Sequence, residues 1–237
     1  MSVVVYVPAR SGSKRVQNKN FLPLAGRPLV YWTLDSVFAT PSIDTVIFSS
    51  DSQEYLDRVA QDYSDPKLKL HLRTAEQAGD KVKLFDYLAA EAHNLFAPED
   101  TVLVCLPTAP FRDAQDVEAA LALHRRTGLG VFSTCAFDFP VAFGLYLGDG
   151  EDGDWTPTVP DSPLLSGDTR SQDQREAHHP NGAVYIRRGS DFQDASVTSF
   201  FVDAVPYPMP RIRSVDIDTK TDFAIAELIA GTNLHRR

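Results

Sequence analysis

Apolar residues in this chain come in short, nearly unbroken runs, separated by stretches whose apolar positions recur three and four apart. The runs are residues 3–7, 45–50, 68–72, 101–106 and 131–136. Short runs of this kind, bounded by turn residues, predict strands buried on both faces, as in a parallel sheet. Between them a 3.6-residue period predicts helices over residues 28–38, 54–61, 81–94 and 113–126. Pro28 suits a first helical turn, and Asp51 or Ser52 can cap the second helix. Leu84, Leu88 and Ala92 share one face of the third. Repeated strand–helix units imply right-handed crossovers and a mostly parallel, three-layer α/β sheet.

The pattern changes after residue 137. Residues 143–147 read as a strand, but 149–173 are rich in Gly, Asp, Pro and Ser. A stretch of that length without periodicity is a functional lid, an arm contacting a partner, or disorder. Regular structure returns at 183–187 and near 200–205, and residues 222–229 read as a final helix. No internal repeat is present, so residues 1–237 read as one domain carrying an insertion at 138–180.

Composition narrows the function. A net charge of −9 over 237 residues argues against a nucleic-acid partner, since phosphate backbones attract basic surfaces. No apolar run reaches the ~18–20 residues of a membrane span, and the first residues do not read as a signal peptide. Cys105 and Cys135 lie in apolar, strand-like surroundings without zinc-ligand spacing, as expected of reduced thiols in a cytoplasmic protein.

Against this acidic background the first loop stands out. The opening strand runs into Pro8-Ala9-Arg10-Ser11-Gly12-Ser13-Lys14-Arg15 and on to Lys19-Asn20. Gly12 and the serines let the backbone approach a ligand and offer it N–H donors. Arg10, Lys14, Arg15 and Lys19 place positive charge at the carboxyl end of a strand, where open α/β sheets bind ligands. The combination suits a polyphosphate.

A second signal is Ser214-Val215-Asp216-Ile217-Asp218-Thr219. On an extended segment Asp216 and Asp218 point the same way. Paired carboxylates suit Mg²⁺, which takes one or two of them together with phosphates and waters. Helix capping is the other use for Asp218 and Thr219, but the basic loop favours a metal–polyphosphate site. Asn181-Gly182 reads first as a hairpin turn, and His178-His179 as a solvated pair.

Pro8-Ala9-Arg10 with Ser13-Lys14 and Lys19-Asn20, Leu72-Arg73, Pro107-Thr108, Pro110 with Arg112, Asn181-Gly182-Ala183 and Asp216-Ile217-Asp218-Thr219 occur in an order that resembles the acylneuraminate cytidylyltransferase family. That family includes the CMP-sialic acid synthetases and is related to the CMP-Kdo synthetases. The resemblance implies a three-layer α/β/α, Rossmann-like nucleotidyltransferase fold with a dimerisation arm. It also implies a homodimer, and CTP and Mg²⁺ as ligands. By position, Arg10, Ser13, Lys14 and Lys19 would hold the triphosphate. Asn20 and Arg73 would place the nucleotide, with Pro8, Ala9, Ser11, Gly12, Asp80, Pro107 and Thr108 completing its surroundings. Asp216 and Asp218 would bind the metal. Lys14 and either Arg170 or Arg175 are the catalytic candidates.

Departures from the family pattern fall on the acceptor side. Leu106 stands where sialic-acid enzymes carry Gln, and Phe143 lies where a Lys contacts the acid. Asp80-Lys81-Val82-Lys83 replaces an Asp-plus-serines segment, and Arg170-Ser171-Gln172-Asp173 replaces Arg-Arg-Gln-Asp. The acceptor candidates are therefore Lys81, Lys83, Leu106, Phe143, Gln172 and Asn181. Unmade hydrogen bonds in a buried site cost about 1–3 kcal/mol each, which disfavours ordinary sialic acid. Lys81 and Lys83 would favour a small phosphonate such as phosphonoformate, and a nonulosonic sugar acid is the other acceptor class. A nucleotide-binding regulatory paralogue without turnover is the rival reading. A dinucleotide oxidoreductase lacks its Gly-x-Gly-x-x-Gly turn.

Overall fold

The computed structural model describes residues 1–13, 16–148, 153–232 and 234–236. In chain order the first elements are β1 (Val3–Pro8), β2 (Pro23–Leu24), β3 (Arg27–Pro28), α1 (Leu29–Phe38), β4 (Thr45–Ser50), α2 (Gln53–Asp62) and β5 (Leu68–Leu72). Next come α3 (Leu84–Leu95), β6 (Thr101–Val104), α4 (Ala114–Thr127) and β7 (Gly130–Ala136). After these follow β8 (Leu145–Leu147), β9 (Trp155–Pro157), the one-turn α5 (Pro163–Ser166), β10 (His178–Arg188), β11 (Ala204–Pro208) and α6 (Lys220–Thr232). The chain divides into two compact units, residues 1–134 with 180–237, and residues 135–179. The second overlaps the stretch read as an insertion.

Seven strands form the main sheet in the order β11-β7-β10-β6-β1-β4-β5. At its centre β1 is parallel to both β4 and β6, with Val5 opposite Val46 on one side and Leu103 on the other. The pairs β4–β5 and β7–β11 are parallel, while β10 is antiparallel to β6. From β1 the chain steps outward to β4 and β5, then returns to the other side of β1 for β6. That reversal opens a crevice beyond the carboxyl ends of β1 and β6.

Strand alternation sorts the core into layers. Val5 and Val7 face α1, α2 and α4 through Leu34, Val37, Leu56, Val59 and Leu121. Val4 and Tyr6 face the other way, against Phe85, Leu88, Ala92 and Phe96 of α3. The result is a three-layer α/β/α fold with a mostly parallel sheet. Helix ends follow local chemistry: Ser52 caps α2 through the Tyr55 N–H, and Asp113 and Asp116 form a capping box on α4.

Several boundaries differ from those read in the sequence. The third helix starts at Leu84, because residues 80–83 are not helical and Lys83 is its N-cap. Phe143 lies in a short 3-10 turn ahead of β8. The strand expected near 200–205 begins at Ala204. Asn181-Gly182 is no hairpin turn: both residues sit inside the 11-residue β10. Gly182 there takes φ +72°, and a Cβ on it would lie 3.1 Å from Leu106 Cδ1.

Candidate functional site

A cleft of about 420 Å³ opens at the crevice between β1 and β6. The loop after β1 contributes Pro8, Arg10, Ser13, Lys19 and Asn20 to its wall. The turn after β6 contributes Leu106, Pro107 and Thr108. Arg73 and Asp80 line it from beyond β5, and Asp216 and Asp218 from the segment ahead of α6. Residues more than two hundred positions apart are thus gathered at one place by the sheet topology.

The first loop is built by its own polar groups. The Ala9 N–H donates to the Ser49 carbonyl at 2.8 Å, and buried Asn20 donates from Nδ2 to the Arg10 carbonyl at 2.9 Å. Ser11 donates from its N–H (2.7 Å) and its hydroxyl (3.1 Å) to the Asp51 carboxylate. Ser11 therefore anchors the loop and does not line the cleft; Asp51, which the motif did not single out, is what holds it. Ala9 is fully buried and likewise scaffolds the turn. A Cβ on Gly12 would meet open space and its φ is not left-handed, so the loop alone does not demand glycine there. Lys14 and Arg15 lie outside the described residues.

Charges at the cleft mouth are paired with one another. Arg10 Nη1 contacts Asp80 Oδ1 across the opening. Lys19 Nζ donates to the Ile217 carbonyl at 2.6 Å and approaches Asp218 Oδ1 at 3.3 Å, tying the first loop to the carboxylate segment. That segment is pinned in turn by the Ile217 N–H, which donates to the Thr108 carbonyl at 2.8 Å. Asp216 opens onto the cleft but is crowded by protein on its other sides. Its pKa is raised by that desolvation, which the Thr108 hydroxyl and Lys19 oppose and the charges of Asp218 and Asp222 reinforce. Helix capping falls to Thr219 and Asp222, whose side chains bond each other's backbone N–H groups. Asp218 is not spent on the cap.

Asp216 and Asp218, with Lys19 beside them, are hard oxygen donors of the kind a divalent cation takes together with waters and phosphate oxygens. Among the described residues no group of three or more His, Cys, Asp or Glu is placed to hold a metal.

The floor of the cleft is different. Arg73 is buried, with its guanidinium carbon 5.5 Å from the centre of the Tyr87 ring. Arg73 Nε is buried without a hydrogen-bond partner among the described residues, and the Tyr87 hydroxyl, also buried, lies against Tyr6. Tyr87, Gln77, Ala78, Gly79, Val82 and Leu84 also line the site, and no motif in the sequence marks them. A helix begun at residue 81 hides the turn at 79–82, from which Asp80 and Val82 reach the cleft wall ahead of Leu84. Lys81 and Lys83, read as acceptor candidates, are exposed and do not line this cleft.

Asn181 needs a similar correction. It is buried and accepts from Ser133 Oγ (2.5 Å) and the Ala183 N–H (3.1 Å) while donating to Ser214 Oγ at 2.9 Å. Its amide is used up fastening β7, β10 and the loop before Asp216, so it is no acceptor ligand. Arg112 fastens the fold in the same way. Fully buried, it donates to Thr33 Oγ1 (2.8 Å) and to the Ala183 (2.6 Å) and Leu106 carbonyls. Arg170, Gln172, Arg175 and Phe143 all belong to the second unit, where Arg170 Nε lies 3.4 Å from Asp173.

A family model described as cytidylyltransferase matches residues 4–133, more than half of the chain. The chain belongs to the cytidylyltransferase family. Its relatives include an N-acylneuraminate cytidylyltransferase of Escherichia coli O18:K1:H7, 28% identical over 94% of this chain and 51% of that protein. The chain thus spans about half the length of that relative. A CMP-N,N'-diacetyllegionaminic acid synthase of Legionella pneumophila is 26% identical over 98% of both chains. Among solved structures, CMP:2-keto-3-deoxy-manno-octonic acid synthetase complexed with CTP superimposes with a TM-score of 0.71 at 15% identity, covering 98% of this chain and 100% of that one. The α/β fold is therefore shared with that synthetase. No helix among the described residues is long and apolar enough to cross a membrane.

Proposed function

We propose that this cytidylyltransferase moves CMP from CTP to a nonulosonic sugar acid and releases pyrophosphate. The observation that carries the reading is the single cleft in which Arg10, Ser13 and Lys19 face Asp216 and Asp218. An acceptor oxygen forms a bond to the α-phosphorus as the bond from that phosphorus to its bridging oxygen breaks. Pyrophosphate departs with the electron pair. Such transfer needs alignment and charge neutralisation more than a protein nucleophile. Arg10 and Lys19 would meet the outer phosphates, and Arg73 at the floor would meet the nucleoside end. Asp216 and Asp218 would hold Mg²⁺, which supplies further neutralisation of the phosphate charge when bound. A sugar hydroxyl must also lose its proton, so the rate should rise with base strength at the site.

A sugar acid is favoured over a phosphonate for two reasons. Lys81 and Lys83, which suggested a compact polyanion, face solvent. The relatives are named for acylneuraminate and diacetyllegionaminate chemistry. Leu106 still replaces a hydrogen-bonding group in the cleft, so the acceptor presents an apolar group there. Within the same reading the second unit serves a homodimer: Phe139 and Leu147 are 73% and 81% exposed, with Tyr146 and Leu165 also bare. Apolar exposure of this density fits a protein interface.

The deciding experiment is pyrophosphate release from CTP with N-acetylneuraminate, N,N'-diacetyllegionaminate, 2-keto-3-deoxy-manno-octonate and phosphonoformate, with light scattering for the dimer. Turnover is expected with a sugar acid, and best with the diacetylated one. CTP binding without release for any acceptor would leave the regulatory reading standing. Release with phosphonoformate alone would restore the phosphonate.

A further inference from the structure

Beneath the cleft floor a hydrogen-bonded chain crosses three strands. Tyr6 of β1 donates from its hydroxyl to Ser49 Oγ of β4 at 2.7 Å, and Ser49 Oγ lies 2.9 Å from His71 Nδ1 of β5. Tyr6 and Ser49 are fully buried. All three side chains rise from the sheet face that α3 covers, because Ser49 is opposite His71 and Tyr6 is opposite Ile47 of that face. Arg73 follows His71 by two residues. Tyr87 of α3 stands over Tyr6 with ring centres 6.4 Å apart. The chain thus ends under Tyr87, whose hydroxyl lies against Tyr6, and under Arg73, whose buried Nε lacks a partner among the described residues.

With Tyr6 as the donor to Ser49, the proton count along this chain has one solution when His71 is neutral. Tyr6 donates to Ser49, so the single Ser49 proton goes to His71, and Nδ1 must be bare with the proton on Nε2. A protonated His71 can no longer accept from Ser49, and the reversed chain then becomes available. In it the His71 Nδ1–H donates to Ser49, Ser49 donates to Tyr6, and the Tyr6 proton is pushed toward the Tyr87 hydroxyl at the floor. A second cation then also sits beside Arg73. The groups facing His71 are Arg73 on its own strand, Tyr6 and Ser49 on the neighbouring strands, and Tyr87 and Glu91 on α3. Burial and the Arg73 charge lower the His71 pKa, and Glu91 opposes them. Glu91 is itself held by Gln77, which donates to it at 3.0 Å.

We propose that His71 is a positioning residue for the nucleotide: neutral, it orders Tyr6 and through it the Tyr87–Arg73 floor, and protonated it undoes that order. The inference rests on the nucleotide reading of the cleft. Because the His71 pKa lies below its ordinary 6.5, the ordered form prevails at neutral pH and is lost as pH falls.

The test compares wild type, His71→Asn and Ser49→Ala by CTP calorimetry and steady-state kinetics between pH 5 and 8. Asn offers Ser49 a carbonyl acceptor and does not titrate there. Wild type should lose CTP affinity below the His71 pKa by at most about tenfold per pH unit, the limit for one coupled proton. The loss should appear in KM more than in kcat. His71→Asn should keep neutral-pH affinity within about threefold and have a shallower acid limb, retaining only the part due to CTP's own ionisation. Ser49→Ala should bind CTP more weakly at neutral pH and share the shallower limb. Acid limbs that coincide in wild type and His71→Asn would overturn the relay while leaving the nucleotide site intact. No CTP binding by wild type at any pH would overturn the nucleotide reading and the relay with it.

Discussion

The mouth and the floor of the cleft handle charge in opposite ways. Among the described residues each cation at the mouth already has an anion: Arg10 contacts Asp80, and Lys19 contacts Asp218. At the floor Arg73 is buried with no carboxylate at ion-pair distance among the described residues, and its Nε has no hydrogen-bond partner. A phosphate arriving at the mouth exchanges one anion for another. A polar group arriving at the floor adds bonds that the free protein lacks. Exchange between exposed partners changes energy little, whereas satisfying a buried donor recovers a desolvation cost already present. The floor should therefore set affinity for the nucleotide, and the mouth should set its alignment and reactivity.

The largest effect belongs to the carboxylates. Asp216→Ala or Asp218→Ala should lower turnover by about a hundredfold, since neutralising phosphate charge in the transition state is worth several kcal/mol. Raised Mg²⁺ should recover part of the loss, while CTP affinity should change much less than turnover. Wild-type rates for both variants at limiting Mg²⁺ would remove these residues from the chemistry and leave the mouth as mere scaffolding.

The floor is probed by Arg73→Met, which keeps length and loses charge. Hydrogen bonds to a charged group contribute about 1.5–3 kcal/mol, so the CTP dissociation constant should rise roughly ten- to 150-fold. The melting temperature of the free protein should hold or increase, because the variant removes a buried charge with an unsatisfied donor. A fall in melting temperature with unchanged CTP affinity would make Arg73 a structural residue and erase the contrast.

How much is legible in the sequence differs between the two regions for the same physical reason. The mouth is local: the Arg10–Asn20 loop and the Asp216–Asp218 pair each state their chemistry within a few residues. The register of the sheet needs only to bring them together. The floor is not local. Tyr6, Ser49 and His71 become a chain only when three strands align, and nothing in the spacing of 6, 49 and 71 foretells it. Misreadings have equally concrete causes. Asn-Gly is a turn signal whose side chain here meets Ser133 and Ser214 from elements far along the chain. The apolar pattern of α3 continues upstream to residue 81, three residues before the helix begins, and that hides the inward face of Val82 and Leu84. Arg112, fully buried against two carbonyls, reads as part of a ligand motif and serves as a bolt.

The smallest expected effect distinguishes exchange from recognition at the mouth. Arg10 and Asp80 are both partly exposed, with side-chain exposures of 42% and 35%, and pairs of that kind contribute about 0.2–1 kcal/mol. If Asp80 only occupies Arg10 until a phosphate arrives, Asp80→Asn should tighten CTP by at most about fivefold. The gain should shrink at high salt, as it does for any screened surface charge. CMP affinity should stay unchanged, because the outer phosphates are the groups that compete with Asp80. Arg10→Ala should act with the opposite sign and the same selectivity, weakening CTP more than CMP. Calorimetry with the two nucleotides at low and high salt reads all four quantities. A weaker grip on CTP in Asp80→Asn would mean that Asp80 contacts the nucleotide itself, as its place in the sequence suggests, and the mouth would then recognise its ligand as the floor does.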